Sequence, residues 1–117
     1  MLARLIVKIS PLLMFLAIPQ LCLAMSVEEY LAKRENSTEN ALQEVLLVGT
    51  GNGFMVANLV LSIKHQEQLY CLPKNLNLNP TNYRSIIDKE LEQGQHKKDE
   101  QIESILLFSL MKMFPCK

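Results

Sequence analysis

The stretch Val45-Leu46-Leu47-Val48-Gly49-Thr50-Gly51-Asn52-Gly53-Phe54 decides the fold. Read one way, residues 45–48 form a buried strand and the glycines after them cradle a phosphate. A phosphate-binding loop of that kind needs a following Lys-Ser or Lys-Thr, and none is there. A dinucleotide-binding turn would want a further glycine where Phe54 stands, and a succession of strands behind it. Read the other way, the glycines lie inside a helix. Leu42, Val45, Leu46, Gly49, Gly53, Val56, Val60 and Ile63 recur at steps of three and four, which is one stripe of a helix, taken here as its buried face. Each glycine costs about 1 kcal/mol against alanine in a helix. Three of them need a packing reason, such as close approach of another helix, or they mark a break. The pattern favours one helix over about 38–66, kinked or straight, above two separate segments.

The flanks read as helices too. Ser26 and Glu29 have capping-box spacing, and Val27, Tyr30 and Leu31 follow at helical spacing, predicting a short helix over about 27–35. Ser37 or Thr38 can cap the long helix after Asn36 breaks the first. Leu69-Tyr70-Cys71-Leu72-Pro73 is apolar and carries Cys71 toward the core, and Leu76 and Leu78 punctuate the polar loop after it. Asn79-Pro80 is a helix start, asparagine at the cap and proline at the first helical position. Tyr83, Ile86, Ile87 and Leu91 then share a face, and Gly94 is a natural stop. A last helix is predicted over about 99–113. Its stripe is Ile102, Ile105, Leu106, Ser109, Leu110 and Met113, widened by Leu107 and Phe108, and Pro115 prevents continuation. No segment alternates like a strand. The expected class is all-α, a small helical bundle with one disulfide, after a cleaved signal peptide.

That leader is residues 1–24. Arg4 and Lys8 give a positive start, an apolar run covers 9–18, and Cys22 and Ala24 supply small residues before a cut after Ala24. The competing reading, a membrane anchor, needs about 20 uninterrupted apolar residues, more than this run offers. The mature domain is then 25–117, exported and without a stable membrane anchor. Cleavage removes Cys22 and leaves Cys71 and Cys116, and an even pair in an exported chain reads as a bridge. Removing Arg4 and Lys8 from twelve basic residues leaves ten against twelve acidic ones. With no continuous basic face, nucleic acid is not expected as a partner.

Candidate chemistry is sparse. His65 and His96 have no histidine or cysteine partner at metal-ligand spacing. Cys71 and Cys116 lack the Cys-x-x-Cys spacing of a redox pair. Asp88 and Glu92 have helical spacing but sit among charges typical of a solvated face. No serine-centred nucleophile motif is present, so neither an enzyme nor a cofactor is expected. A small exported helical domain of this kind is expected to bind another protein.

The pieces in order are an export leader, Gly53 to Asn58 within a glycine-containing helix, Leu69-Tyr70-Cys71-Leu72-Pro73, Asn79-Pro80-Thr81-Asn82-Tyr83, and a terminal helix ending Phe114-Pro115-Cys116. This resembles the type VI secretion amidase-immunity family (the Rap/Tai group) over about 41–117. One departure is Asn75, where a glycine would be expected. The resemblance implies a periplasmic, mainly helical protein with a Cys71–Cys116 bridge, often a homodimer. It implies a partner as well: a peptidoglycan-cleaving amidase effector whose cleft the immunity protein occludes. A wedge into a cleft needs a polar tip on a rigid base. Gly94, Gln95, His96, Lys97 and Lys98, between the last two helices, are the candidate tip, and a plain solvated connection is the alternative for them. The different-class alternative for the whole chain is a small periplasmic chaperone or stress protein.

Overall fold

The computed structural model describes residues 24–117. Residues 1–23 of the expected 1–24 leader, with Cys22, lie outside the described residues. Four helices follow in order: α1 (Val27–Lys33), α2 (Ser37–Ile63), α3 (Pro80–Gln93) and α4 (Ile102–Met113). Among the described residues there is no strand, and the one extended pairing is an isolated antiparallel bridge between Ser26 and Gln101.

Local chemistry sets the helix ends. Ser26 caps α1 by accepting from the Glu29 amide at 3.1 Å. The cap of α2 is Asn36, one residue earlier than Ser37 or Thr38, with its side chain accepting from the amides of Thr38 and Glu39. α2 stops at Ile63, three residues before the predicted end, because His65 turns left-handed at φ 54°. The Gln66 amide then reaches back to Leu61 O, and the His65 amide to Ser62 O, the paired bonds of a Schellman stop. α3 begins as predicted, with Asn79 and Asn82 exchanging side-chain-to-backbone bonds at 2.9 Å each.

α4 begins at Ile102, three residues later than predicted. Residues 98–100 form a turn, with the Glu100 amide donating to Lys97 O at 3.2 Å, and the start of the domain holds it in place. The Val27 amide donates to Glu100 O at 2.9 Å, the Glu28 amide to Lys98 O at 3.0 Å, and the Ile102 amide to Met25 O at 2.8 Å. The Met25 amide points at both carboxylate oxygens of Glu103, at 3.1 and 3.3 Å, and the Met25 side chain is buried. Asp99 and Glu100 therefore stand ahead of the first turn, and Glu103 is the acidic group within it.

The core gathers Tyr30 from α1, Leu47 from α2, Tyr70 from the loop, Tyr83 and Ile87 from α3, and Ile102, Leu106 and Leu110 from α4. The predicted faces of α3 and α4 hold, except that Met113 and Phe108 are exposed; of the loop leucines, Leu78 packs inward and Leu76 is exposed. Asn58, buried, accepts from the Leu69 amide at 2.8 Å and donates to Tyr70 O at 2.9 Å. The next residue, Cys71, donates its amide to Phe114 O at 2.8 Å and is bridged to Cys116. The loop so closed spans 45 residues in sequence, for which chain-entropy estimates give roughly 4 kcal/mol.

α2 is continuous through its glycines, but its orientation reverses the expectation. The inward face is Gln43, Leu47, Gly51 and Asn58. Of the stripe read as buried, Leu42 is 57% exposed, Val45 67%, Val56 60%, Val60 44% and Ile63 68%; only Leu46 packs partly against the core. The reversal has two causes. Gln43 and Asn58 are polar yet satisfied inside, Gln43 donating to Tyr30 O at 3.0 Å. Gly51 lets α3 in, since a Cβ there would collide with the Tyr83 ring. Gly49 and Gly53 point outward, with nothing among the described residues within 4 Å of an added Cβ.

The glycines should thus respond in opposite ways. Gly51→Ala is expected to lose about 1–3 kcal/mol through overpacking against Tyr83. Gly49→Ala is expected to gain up to about 1 kcal/mol from helix propensity. Denaturant unfolding of dilute protein checks both; equal effects would contradict this orientation of α2.

Candidate functional site

The α3–α4 connection carries the candidate tip, and its residues divide between two tasks. Gln95, Lys97 and Lys98 are exposed. His96 is turned inward and braces the turn. Its Nδ1 lies 2.6 Å from Glu100 Oε2, and its Nε2, sealed from solvent, lies 3.9 Å from Glu90 Oε1. Gly94 explains how the ring fits, because a Cβ there would meet His96 Nε2. Gly94 itself has an ordinary extended backbone (φ −100°, ψ 160°), so the glycine is needed for space and not for a left-handed stop. The Lys98 carbonyl is engaged by the Glu28 amide. Of the five tip residues, then, three present side chains to solvent and two build the support.

Beside this turn lies a cleft of about 520 Å³, walled by Glu90, His96, Asp99 and Glu100, floored by Ile105 and Ser109, and rimmed by Phe108. Phe108 is 66% exposed. The sequence reading makes it a widening of the α4 stripe, three residues after Ile105, and no local pattern signals that it faces out. Ser109 spends its hydroxyl on Ile105 O at 2.8 Å. Glu90 is also approached by Lys112 at 3.6 Å. The hydrogen bond from His96 holds the Glu100 carboxyl below its ordinary range. Among the described residues no group of three or more His, Cys, Asp or Glu side chains could hold a metal ion. The arrangement offers amide and ammonium donors at the turn, carboxylates in the cleft and an aromatic edge between them, which suits recognition of a polar, partly apolar surface.

The cysteines are brought together as the sequence reading required, with Cα atoms 5.0 Å apart. They lie at the far end of α4 from the turn, so they hold the helix that supports the site and do not line it. Asp88, the other carboxylate singled out, accepts from the Tyr30 hydroxyl at 2.8 Å and from Arg34 at 2.9 Å. Burial, with that bond second, pushes the Tyr30 phenol far up. Glu92 is exposed, one turn along α3 from Asp88 and not hydrogen-bonded to it. His65 is the left-handed residue of the α2 stop, and it is exposed. Comparison with family models, with characterised proteins and with solved structures finds no match.

The brace gives a pH signature. Because the folded Glu100 carboxyl is more acidic than the unfolded one, its contribution is present above the ordinary carboxylate range and is lost as pH falls through the lowered value. Unfolding at about pH 6 should show Glu100→Gln less stable than the parent, and the gap should close by about pH 3. The side chain is 40% exposed, so the effect is small. A gap that persists in acid would mean that the carboxylate does not act through its charge.

Proposed function

We propose that this protein is a periplasmic immunity protein that binds and occludes a peptidoglycan-cleaving amidase effector of type VI secretion. The observation that carries the reading is the braced turn. Gln95, Lys97 and Lys98 project from a support fixed by His96, Gly94 and Glu100, on a helix pair tied down by the Cys71–Cys116 bridge. A wedge of this sort enters a cleft with little ordering cost, since the support is already rigid. The leader pattern and the disulfide support an exported, oxidising setting. The proposed partners are the amidase-type effector and a second copy of the chain.

A chaperone or stress role in the same compartment is the second reading, and the exposed apolar stripe of α2 favours it. The two separate by experiment. Co-expression in the periplasm with an amidase effector encoded beside it should rescue growth and yield a co-purifying complex. Reversing the charges of Lys97 and Lys98 should weaken that complex at least tenfold. Suppressed aggregation of unrelated unfolded proteins, with neither rescue nor a complex, would support the chaperone reading and sink the immunity one.

A further inference from the structure

We infer, resting on the leader reading of residues 1–24 and not on the effector reading, that cleavage after Ala24 completes the domain. The new α-ammonium of Met25 is received by the Glu103 carboxylate, in an ion pair that the uncleaved chain cannot form.

Glu103 stands half-buried in the first turn of α4. Its two oxygens lie 3.1 and 3.3 Å from the Met25 nitrogen. A backbone amide has a single N–H, so it serves two acceptors at such distances only by sharing it. A terminal ammonium has three N–H groups and meets both oxygens at once. The carboxylate also lacks a cation. Among the described residues no Lys, Arg or His nitrogen lies within 4.0 Å of it, although a partly buried charge is costly unless paired. The helix dipole favours an acid in this turn, but it does not aim both oxygens at residue 25.

Met25 is already held where the charge would arise. Its side chain is buried, and its carbonyl accepts from the Ile102 amide at 2.8 Å. Neither contact involves the nitrogen, so little ordering is left for the ion pair to impose. Cleavage changes the donor from an amide to a cation, and charge-assisted bonds are roughly twice as strong as neutral ones. The same segment sends the Val27 and Glu28 amides to Glu100 O and Lys98 O. The pair therefore fastens the start of α4 and the turn before it, and the precursor, with its leader attached, holds both less firmly.

The test uses the full chain exported with its own leader and purified from the periplasm. Intact mass should show Met25 as the first residue; a different first residue would overturn the cleavage reading and the ion pair with it. Glu103→Gln should lower Tm at neutral pH by about 5 °C in the processed protein. The loss should be about half that or less when Gly-Ser is inserted between Ala24 and Met25, which carries the ammonium away. Any dipole effect is lost equally in both forms, so the difference reads the ion pair. A pH profile separates charge from packing. Of the other charges near residue 25, Glu29 and Lys33 of α1 and Glu39 of α2 line one hollow with it, and Glu28 and Lys98 pair at 3.9 Å. The hydrogen bond to Glu29 holds Lys33 above its ordinary range, so Lys33 stays charged while the α-amine titrates. A paired α-ammonium titrates above its ordinary value of about 8. Its contribution is complete below that value and is lost as pH rises through the raised folded one. The gap between the parent and Glu103→Gln should therefore narrow from about pH 8 to about pH 10 in the processed form and stay level in the inserted form. With Met25 first, equal Tm losses in the two forms, or a gap that ignores pH, would overturn the ion pair and leave the cleavage intact.

Discussion

The buried amide of Asn58 holds the second half of the domain to the first. It accepts from the Leu69 amide and donates to the Tyr70 carbonyl, so both of its polar functions are satisfied and its burial costs little. Those two bonds fix the chain as it leaves α2. They set the Tyr70 ring in the core and deliver Cys71 to Cys116 and to the Phe114 carbonyl. Removing the amide would leave two backbone groups unsatisfied, at about 1–3 kcal/mol each. That is comparable with the roughly 4 kcal/mol of the bridge. The disulfide therefore tightens a segment that hydrogen bonds already place, and α4, with the turn before it, takes its position from both.

How far the fold could be read ahead depended on whether the deciding signal was local. Asn79-Pro80 located the start of α3 because the cap and the proline act within one turn. The bridge was legible once the leader was set aside, because only two cysteines remained. The direction α2 faces was not legible. Both of its sides carry aliphatics, and the side that turns inward displays a glutamine, a glycine and an asparagine. Periodicity counts those as outward. Only the distant groups they meet, the Tyr30 carbonyl, the Tyr83 ring and the 69–70 backbone, make them inward. The start of α4 slipped for the same reason: residues 98–101 answer to residues 25–28, a partnership between ends of the chain that local pattern cannot contain.

The candidate site was legible as a location more than as a set of roles. A polar connection between two helices stood out, and with it five residues. That His96 folds under the turn depends on an absent Cβ two residues before it and a carboxylate four residues after it. The exposed Phe108 and the cleft beside it belong to the packing of α3 on α4 and had no counterpart in any single motif. Two of the four glycines answer to the fold, Gly51 beneath Tyr83 and Gly94 beneath His96. The other two meet nothing among the described residues, which is why the outer face of α2 stands apart.

The tyrosines make the protein its own optical probe. The chain has three and no tryptophan, and all three are buried, on α1, on the loop and on α3. Their surroundings differ: Tyr30 donates to a carboxylate, the Tyr70 hydroxyl is buried with no partner among the described residues, and the Tyr83 ring lies over a glycine. Burial holds all three phenols above their ordinary range. Near-ultraviolet absorbance and emission thus report on three separate joints of the bundle, with no introduced label and no indole signal to mask them.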